Sequence, residues 1–224
     1  MKRSLVICVV LTIALLSGCQ SSPSEETPPM NSSEIDAEEI LAPIPDPTPT
    51  PIPTESIIPQ REDADFRNAK WGDSKETIIE NESIVLAETE VGLIGEDRIN
   101  EFATWVIYAI DSNNKLYKAL YDFNKLDYSN AGQYIPVYNS LKDSLTEKYG
   151  EPIGDGVFNL EDEQTIALAG ETRALRLGYI AYSAKWETDN TIIIIGLMSQ
   201  NNTMHLTIQY EDMNYEPDIN NSGL

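Results

Sequence analysis

Cysteine is nearly missing from this chain of 224 residues, which holds only Cys8 and Cys19. Everything beyond residue 19 therefore has no disulfide, no thiol nucleophile and no thiolate metal ligand. Histidine is scarcer still. His205 is the one histidine, so a zinc site built from several His or Cys ligands is excluded. No local Ser/Asp arrangement accompanies it to suggest a catalytic triad, and it is expected on the solvent face of the last strand. Basic residues are few: 15 Lys and Arg face 37 Asp and Glu, a net charge of −22. Nucleic-acid binders need basic patches that release counterions, and a chain this acidic repels such partners. The same balance opposes an electrostatic grip on anionic lipid headgroups. Gly92, Gly95, Gly154 and Gly156 lack both the spacing and the lysine of a phosphate-binding loop. No cofactor is implied.

What is present begins with Lys2 and Arg3, an apolar run from Leu5 to Leu16, and Leu16-Ser17-Gly18-Cys19. A basic segment, an apolar segment and a small-residue cleavage site stand in the order of a secretory signal. The run resembles the lipobox of bacterial lipoproteins, in which the cysteine thiol takes diacylglycerol and its freed amine becomes the new N-terminus. A membrane-spanning helix needs about 20 apolar residues, and here polar sequence starts at Ser17. The resemblance implies a signal peptide over residues 1–18, cleavage between Gly18 and Cys19, and acylation of Cys19. One acyl chain holds a membrane marginally, whereas two hold it stably. The expected location is the extracytoplasmic side of the cell membrane, anchored by fatty acyl chains such as palmitate. Loss of the signal leaves 13 basic residues against 37 acidic ones.

Residues 19–61 read as the lipidated cysteine followed by a linker. Ten of the 13 prolines lie between residues 20 and 60, with eight acids and no Lys or Arg. So few large apolar side chains cannot offset the entropy of ordering, so disorder is expected. Proline at every second position from Pro43 to Pro53 favours an extended, semi-rigid spacer.

The folded part is expected over residues 62–213, with a frayed tail over 214–224. A short helix is predicted from about Ser74 to Glu82, capped by Asp73 or Ser74 and turning Ile78 and Ile79 inward. Strands are predicted over residues 84–91, 102–110 and 116–123, the last two joined across Asp111-Ser112-Asn113-Asn114. Tyr134, Tyr138, Leu141, Leu145 and Tyr149 recur on one helical face, and Gly150 and Pro152 end that helix. Residues 153–178 are the least regular stretch, with a short helix near 163–169. Three further strands are expected over residues 179–186, 191–198 and 203–210. The fold class is therefore α+β: antiparallel sheets with helices on one face, arranged as two α-βββ repeats over 66–124 and 134–212. An offset of 89 residues pairs Tyr121 with Tyr210 and Asn113 with Asn202.

Gly72-Asp73-Ser74-Lys75-Glu76-Thr77-Ile78 resembles the Gly-x-Ser/Thr-x-x-x-Val helix opening of the small α-β repeat lipoproteins. Those are the SmpA/OmlA-like and the β-lactamase-inhibitor-protein-like domains. Gly150-Glu151-Pro152 resembles their Gly-x-Pro closing. Here the opening and closing lie on different helices. The resemblance implies a helix packed on a meander, and protein binding rather than catalysis.

Two acidic turns, Asp111 to Asn114 and Glu161 to Glu163, offer oxygen ligands for calcium, yet neither continues with the glycine and distal glutamate of an EF-hand loop. Acidic turns are ordinarily just turns. The positive signal is apolar surface on both faces of the strands. Phe102, Thr104, Val106, Tyr108 and Ile110 alternate with Ala103, Trp105, Ile107 and Ala109, and a sheet with two apolar faces needs cover on each. Either helices and the 153–178 segment supply that cover, or a patch of Trp105, Ile107, Leu116 and Leu120 stays open for a partner. The expected role is a non-enzymatic, cell-surface lipoprotein that binds an envelope protein or ligand. Alternatives are a carboxylate-based envelope hydrolase and a structural spacer without a specific ligand.

Overall fold

The structure is a computed structural model in which residues 61–217 are described. The lipobox at Leu16 to Cys19, the linker over residues 20–60 and the end of the tail after residue 217 lie outside the described residues.

The first half of the fold is built from α1 (Lys75–Asn81) and four strands, β1 (Leu86–Thr89), β2 (Gly92–Ile99), β3 (Phe102–Ile110) and β4 (Leu116–Asp122). The second half opens with α2 (Tyr134–Tyr149) and adds β5 (Gly154–Asn159), β6 (Ile180–Glu187), β7 (Thr191–Gln200) and β8 (Thr203–Asp212). Two short helices, α3 (Glu163–Ala169) and α4 (Glu171–Arg176), are inserted between β5 and β6. All eight strands join one sheet in the order β1-β2-β3-β4-β8-β7-β6-β5, every pair antiparallel. The halves are thus α-ββββ units, each with one strand more than the sequence pattern indicates. They meet where β4 pairs with β8, with Leu120 opposite Gln209. An offset of 89 relates those two residues as it relates Tyr121 to Tyr210, so the seam lies on an internal pseudo-two-fold relation.

Local chemistry explains the elements. Ser74, not Asp73, caps α1 by accepting from Thr77 N–H. The Asp73 carboxylate instead accepts from Lys70 N–H at 2.8 Å and from Arg61 at 2.6 Å. Ile78 is fully buried, but Ile79 points out at 43% exposure, because a helix of seven residues presents only one turn of its surface inward. Helix α2 buries Tyr134, Val137, Tyr138, Leu141 and Leu145. It ends at Gly150, whose φ of +82° suits glycine, and the Gly150 carbonyl accepts from Trp186 Nε1 at 2.8 Å. Two-residue turns at Asn100-Glu101 and Asn201-Asn202 have positive φ at both positions, the geometry that matches strand twist in tight hairpins. The tail is pinned at its start: Met213 N–H donates to Asn190 O at 2.9 Å and Tyr215 stacks on Tyr117, ring centroids 4.4 Å apart.

One core serves both halves. Val106, Tyr108 and Ala119 from the first half share it with Trp186, Ile193, Ile195, Leu197 and Ile208 from the second. Phe66, in the loop before α1, sits over the seam, with ring centroids 5.4 Å from Tyr108 and 4.9 Å from both Tyr121 and Tyr210. Beside it lies a buried ion cluster. Glu82 ends α1 with its side chain 1% exposed, and its carboxylate accepts from Arg67 Nε at 3.0 Å and Asn68 N–H at 3.3 Å, while Arg67 also pairs with Asp97 of β2. Nearby, burial pushes the Tyr121 hydroxyl up to about 12, against the lowering pull of Arg67.

Candidate binding face

Alternation along the strands sorts every side chain to one of two faces. On β7, Thr191, Ile193, Ile195, Leu197 and Ser199 are buried, whereas Ile192, Ile194, Gly196, Met198 and Gln200 are half-exposed. On β3, Thr104, Val106 and Tyr108 are buried, whereas Ala103, Trp105, Ile107 and Ala109 are half-exposed. The buried set belongs to the core that also holds α1, α2 and α4 residues Ile78, Tyr138, Leu141, Ala174 and Leu175. The helices therefore lie on one face. No described element covers the other.

The 153–178 segment does not supply the missing cover. It forms edge strand β5 plus α3 and α4, and α4 sends Ala174 and Leu175 into the same core as α2. The second apolar face is left open among the described residues, and strand register shows what it carries. One row runs across the sheet through Ala87, Ile94, Ile107, Leu120, Gln209 and Ile194. The neighbouring row runs through Glu96, Trp105, Asp122 and Thr207. Four apolar side chains in succession, flanked by Trp105, form a patch where cross-strand neighbours stand about 5 Å apart.

Of the four residues expected in that patch, Trp105, Ile107 and Leu120 are brought together. Leu116 is not. It is 1% exposed within the core, on the far face of the sheet. The register shifts between Ala109 and Ile110, which pair with Lys118 and Leu116 respectively. Tyr117 is therefore the extra residue of a β-bulge, and the bulge breaks the alternation that would otherwise put Leu116 and Leu120 on one face. Leu120 is only 3% exposed yet stands outside the core cluster. Ile94 and Ile194 join the patch and were missed, since β2 carries Gly92, Gly95 and three charged residues and reads as loop. The four consecutive isoleucines of β7, Ile192 to Ile195, were the available signal for Ile194.

Charges frame the patch. Lys125 Nζ lies 4.0 Å from the Trp105 ring centroid and 2.5 Å from Glu96, so a cation holds one ring face while an acid fixes the cation. Lys118 and Glu211 pair at 2.9 Å across the seam. Beside Trp105, a notch of about 410 Å³ is lined by Ile84, Val85, Ala87, Ile94 and Glu96, and Val85 is 92% exposed. Burial raises the Asp122 carboxyl above the usual range, partly opposed by the Asn124 backbone and by His205. His205 lies on this face, opposite Met198.

The acidic turns have local duties. Asp111 Oδ1 accepts from Asn113 N–H and Lys115 N–H, both at 2.9 Å. Asp162 caps α3 by accepting from Thr165 N–H at 2.9 Å and Thr165 Oγ1 at 2.6 Å, and those bonds hold its carboxyl below the usual range. Among the described residues no group of three or more His, Cys, Asp or Glu is placed to hold a metal ion. No helix among them is long and apolar enough to cross a membrane.

Fold and face together define an α+β domain with a single antiparallel sheet, helices on one side and an apolar row on the other. No protein-family model, no curated protein and no solved structure matches the chain.

Proposed function

We propose that this chain is a lipid-anchored, non-enzymatic binding protein of the cell envelope. In this reading residues 1–18 are removed, Cys19 is acylated, and the open sheet face holds an envelope protein. The observation that carries it is the row of half-exposed Ile94, Ile107 and Ile194, with Leu120 buried in line with them, beside half-exposed Trp105 on the face opposite the helices. Large uncovered apolar patches on a domain mark interaction sites, and Trp is enriched at their centres. The residues around the patch favour binding over turnover: Lys125, Glu96, Lys118 and Glu211 are engaged with one another or with a ring. The resemblance of the helix-opening motif to protein-binding repeat lipoproteins points the same way.

The test uses the full chain in its own envelope. Crosslinking should capture one envelope protein, and Trp105→Ser should lose it without changing the amount of folded chain. Capture unaffected by Trp105→Ser would favour a spacer role. Turnover of a cell-wall or ester substrate, abolished by a carboxylate substitution, would favour the hydrolase. Cys19→Ser should release the chain to the soluble fraction and abolish labelling by a lipid precursor; unchanged membrane association would refute the anchor.

A further inference from the structure

The two edges of the sheet differ in a way the binding face does not explain. Edge strands expose unpaired backbone N–H and C=O groups, and stable monomers blunt them with short strands, charges, proline or bulges. The β1 edge is blunted: four residues, with Glu88 inside the strand and Glu90 just past it. The β5 edge is not. Residues 153–160 read Ile-Gly-Asp-Gly-Val-Phe-Asn-Leu, with Ile153 64%, Val157 49%, Phe158 45% and Leu160 41% exposed. Its one acid, Asp155, is already bound by Lys142 at 2.7 Å. Among the described strands β5 pairs only with β6.

We propose that β5 is the seam of a homodimer, in which the edge strands of two copies pair antiparallel about Val157. The strand's own register favours a second copy. Leu160 N–H donates to Tyr179 O at 2.8 Å, which turns the even-numbered residues of the strand toward β6 and leaves the backbone groups of Asp155, Val157 and Asn159 facing outward. With Val157 opposite Val157 of the second copy, Asp155 falls opposite Asn159, and these three outward residues exchange hydrogen bonds with no like charges facing.

The same register sets Phe158 opposite Gly156 and Leu160 opposite Gly154. Nothing lies within 4 Å of where a Cβ would stand on either glycine. Each glycine thus leaves a space that the partner's large side chain can fill, the pairing by which an aromatic residue compensates a strand glycine. The two-fold axis of such a pair is perpendicular to the sheet, so the open faces of both copies point to the same side. It repeats between chains the antiparallel junction that β4 and β8 make within one. A six-residue seam buries less than a standard interface, so the dimer is weak and concentration-dependent.

Disulfide trapping tests this in the full chain with Cys8 and Cys19 replaced by serine. Val157→Cys should crosslink to dimer on mild oxidation, because directly opposite residues bring Cα atoms within disulfide range. Thr89→Cys, at the other edge, and Leu168→Cys, exposed on α3, should stay monomeric. Val157→Pro removes only an outward N–H, and in sedimentation it should weaken dimerisation about tenfold or more with the thermal midpoint nearly unchanged. Crosslinking of Val157→Cys no greater than that of Thr89→Cys would overturn the proposal, as would a native chain that stays monomeric at high concentration. Trp105→Ser should leave the crosslink intact, so failure of the seam and failure of the binding face are read separately.

Discussion

Truncating Phe66 to alanine should cost roughly 4 kcal/mol of folding stability. Phe66 is 2% exposed and touches three tyrosine rings, Tyr108 from β3, Tyr121 from β4 and Tyr210 from β8. Phe→Ala changes in cores cost about 3–5 kcal/mol through lost transfer energy and the cavity left behind. Each aromatic pair adds about 0.5–1.5 kcal/mol beyond burial, though the three are not additive. A domain of this size is stable by only about 5–15 kcal/mol, so the loss is a large share of the whole. Phe66→Leu fills most of the space and loses the ring contacts, for an expected cost of about 1–2 kcal/mol. Equilibrium unfolding in urea, followed by tryptophan fluorescence, reads both variants. The midpoint should fall with the slope unchanged, in a single transition, because Phe66 bridges strands of both halves. A loss below about 1 kcal/mol for Phe66→Ala would show that the segment before α1 does not hold the seam. Two separated transitions would show that the halves do not share a core.

Other substitutions separate the covered face from the open one. Leu116→Ala should destabilise by about 2–5 kcal/mol through a core cavity while the folded fraction still binds its partner; Trp105→Ser should do the reverse, and urea midpoints beside capture yields distinguish them. Glu82→Ala should cost about 3–5 kcal/mol, because Arg67 is left buried without one of its two acids; the double variant Arg67→Met with Glu82→Leu should recover part of that loss. Asp122 has its carboxyl raised by burial, so its ionised form opposes folding. That contribution favours the fold below the ordinary carboxylate range and is lost as pH rises through the raised value. Asp122→Asn should therefore raise the urea midpoint at pH 7, with the advantage vanishing near pH 4; no difference between the two pH values would contradict the assignment.

Much of the architecture was legible because its local signals agree with the tertiary result. Ser74, the spacing of the α2 tyrosines and leucines, Gly150 and the alternation of β8 each mark their element. Strands β2 and β5 were not legible. Their glycines at 92, 95, 154 and 156 lower strand propensity, and pairing with β3 and β6 supplies what the local sequence lacks. Gly92 is required there: with φ +145°, a Cβ would stand 1.9 Å from Tyr108 O. The missing strands are also why the repeats read as α-βββ. In the candidate face, Trp105, Ile107 and Leu120 followed from simple alternation. Leu116 did not, since a single bulge residue at Tyr117 moves it through the sheet to the helical side. Which face the helices take cannot be read from strands apolar on both sides; it is decided by where Ile78, Tyr138 and Leu175 find their neighbours.

The binding face is tested most directly by site-specific photocrosslinking in the living cell. A photoreactive residue is placed singly at Ile107, at Ile194, and at Asp143 on the outer side of α2. The expected result is one shared adduct from Ile107 and Ile194 and none from Asp143. Adducts from Asp143 alone, or none from either sheet position, would contradict the assignment of the open face as the surface that holds a partner.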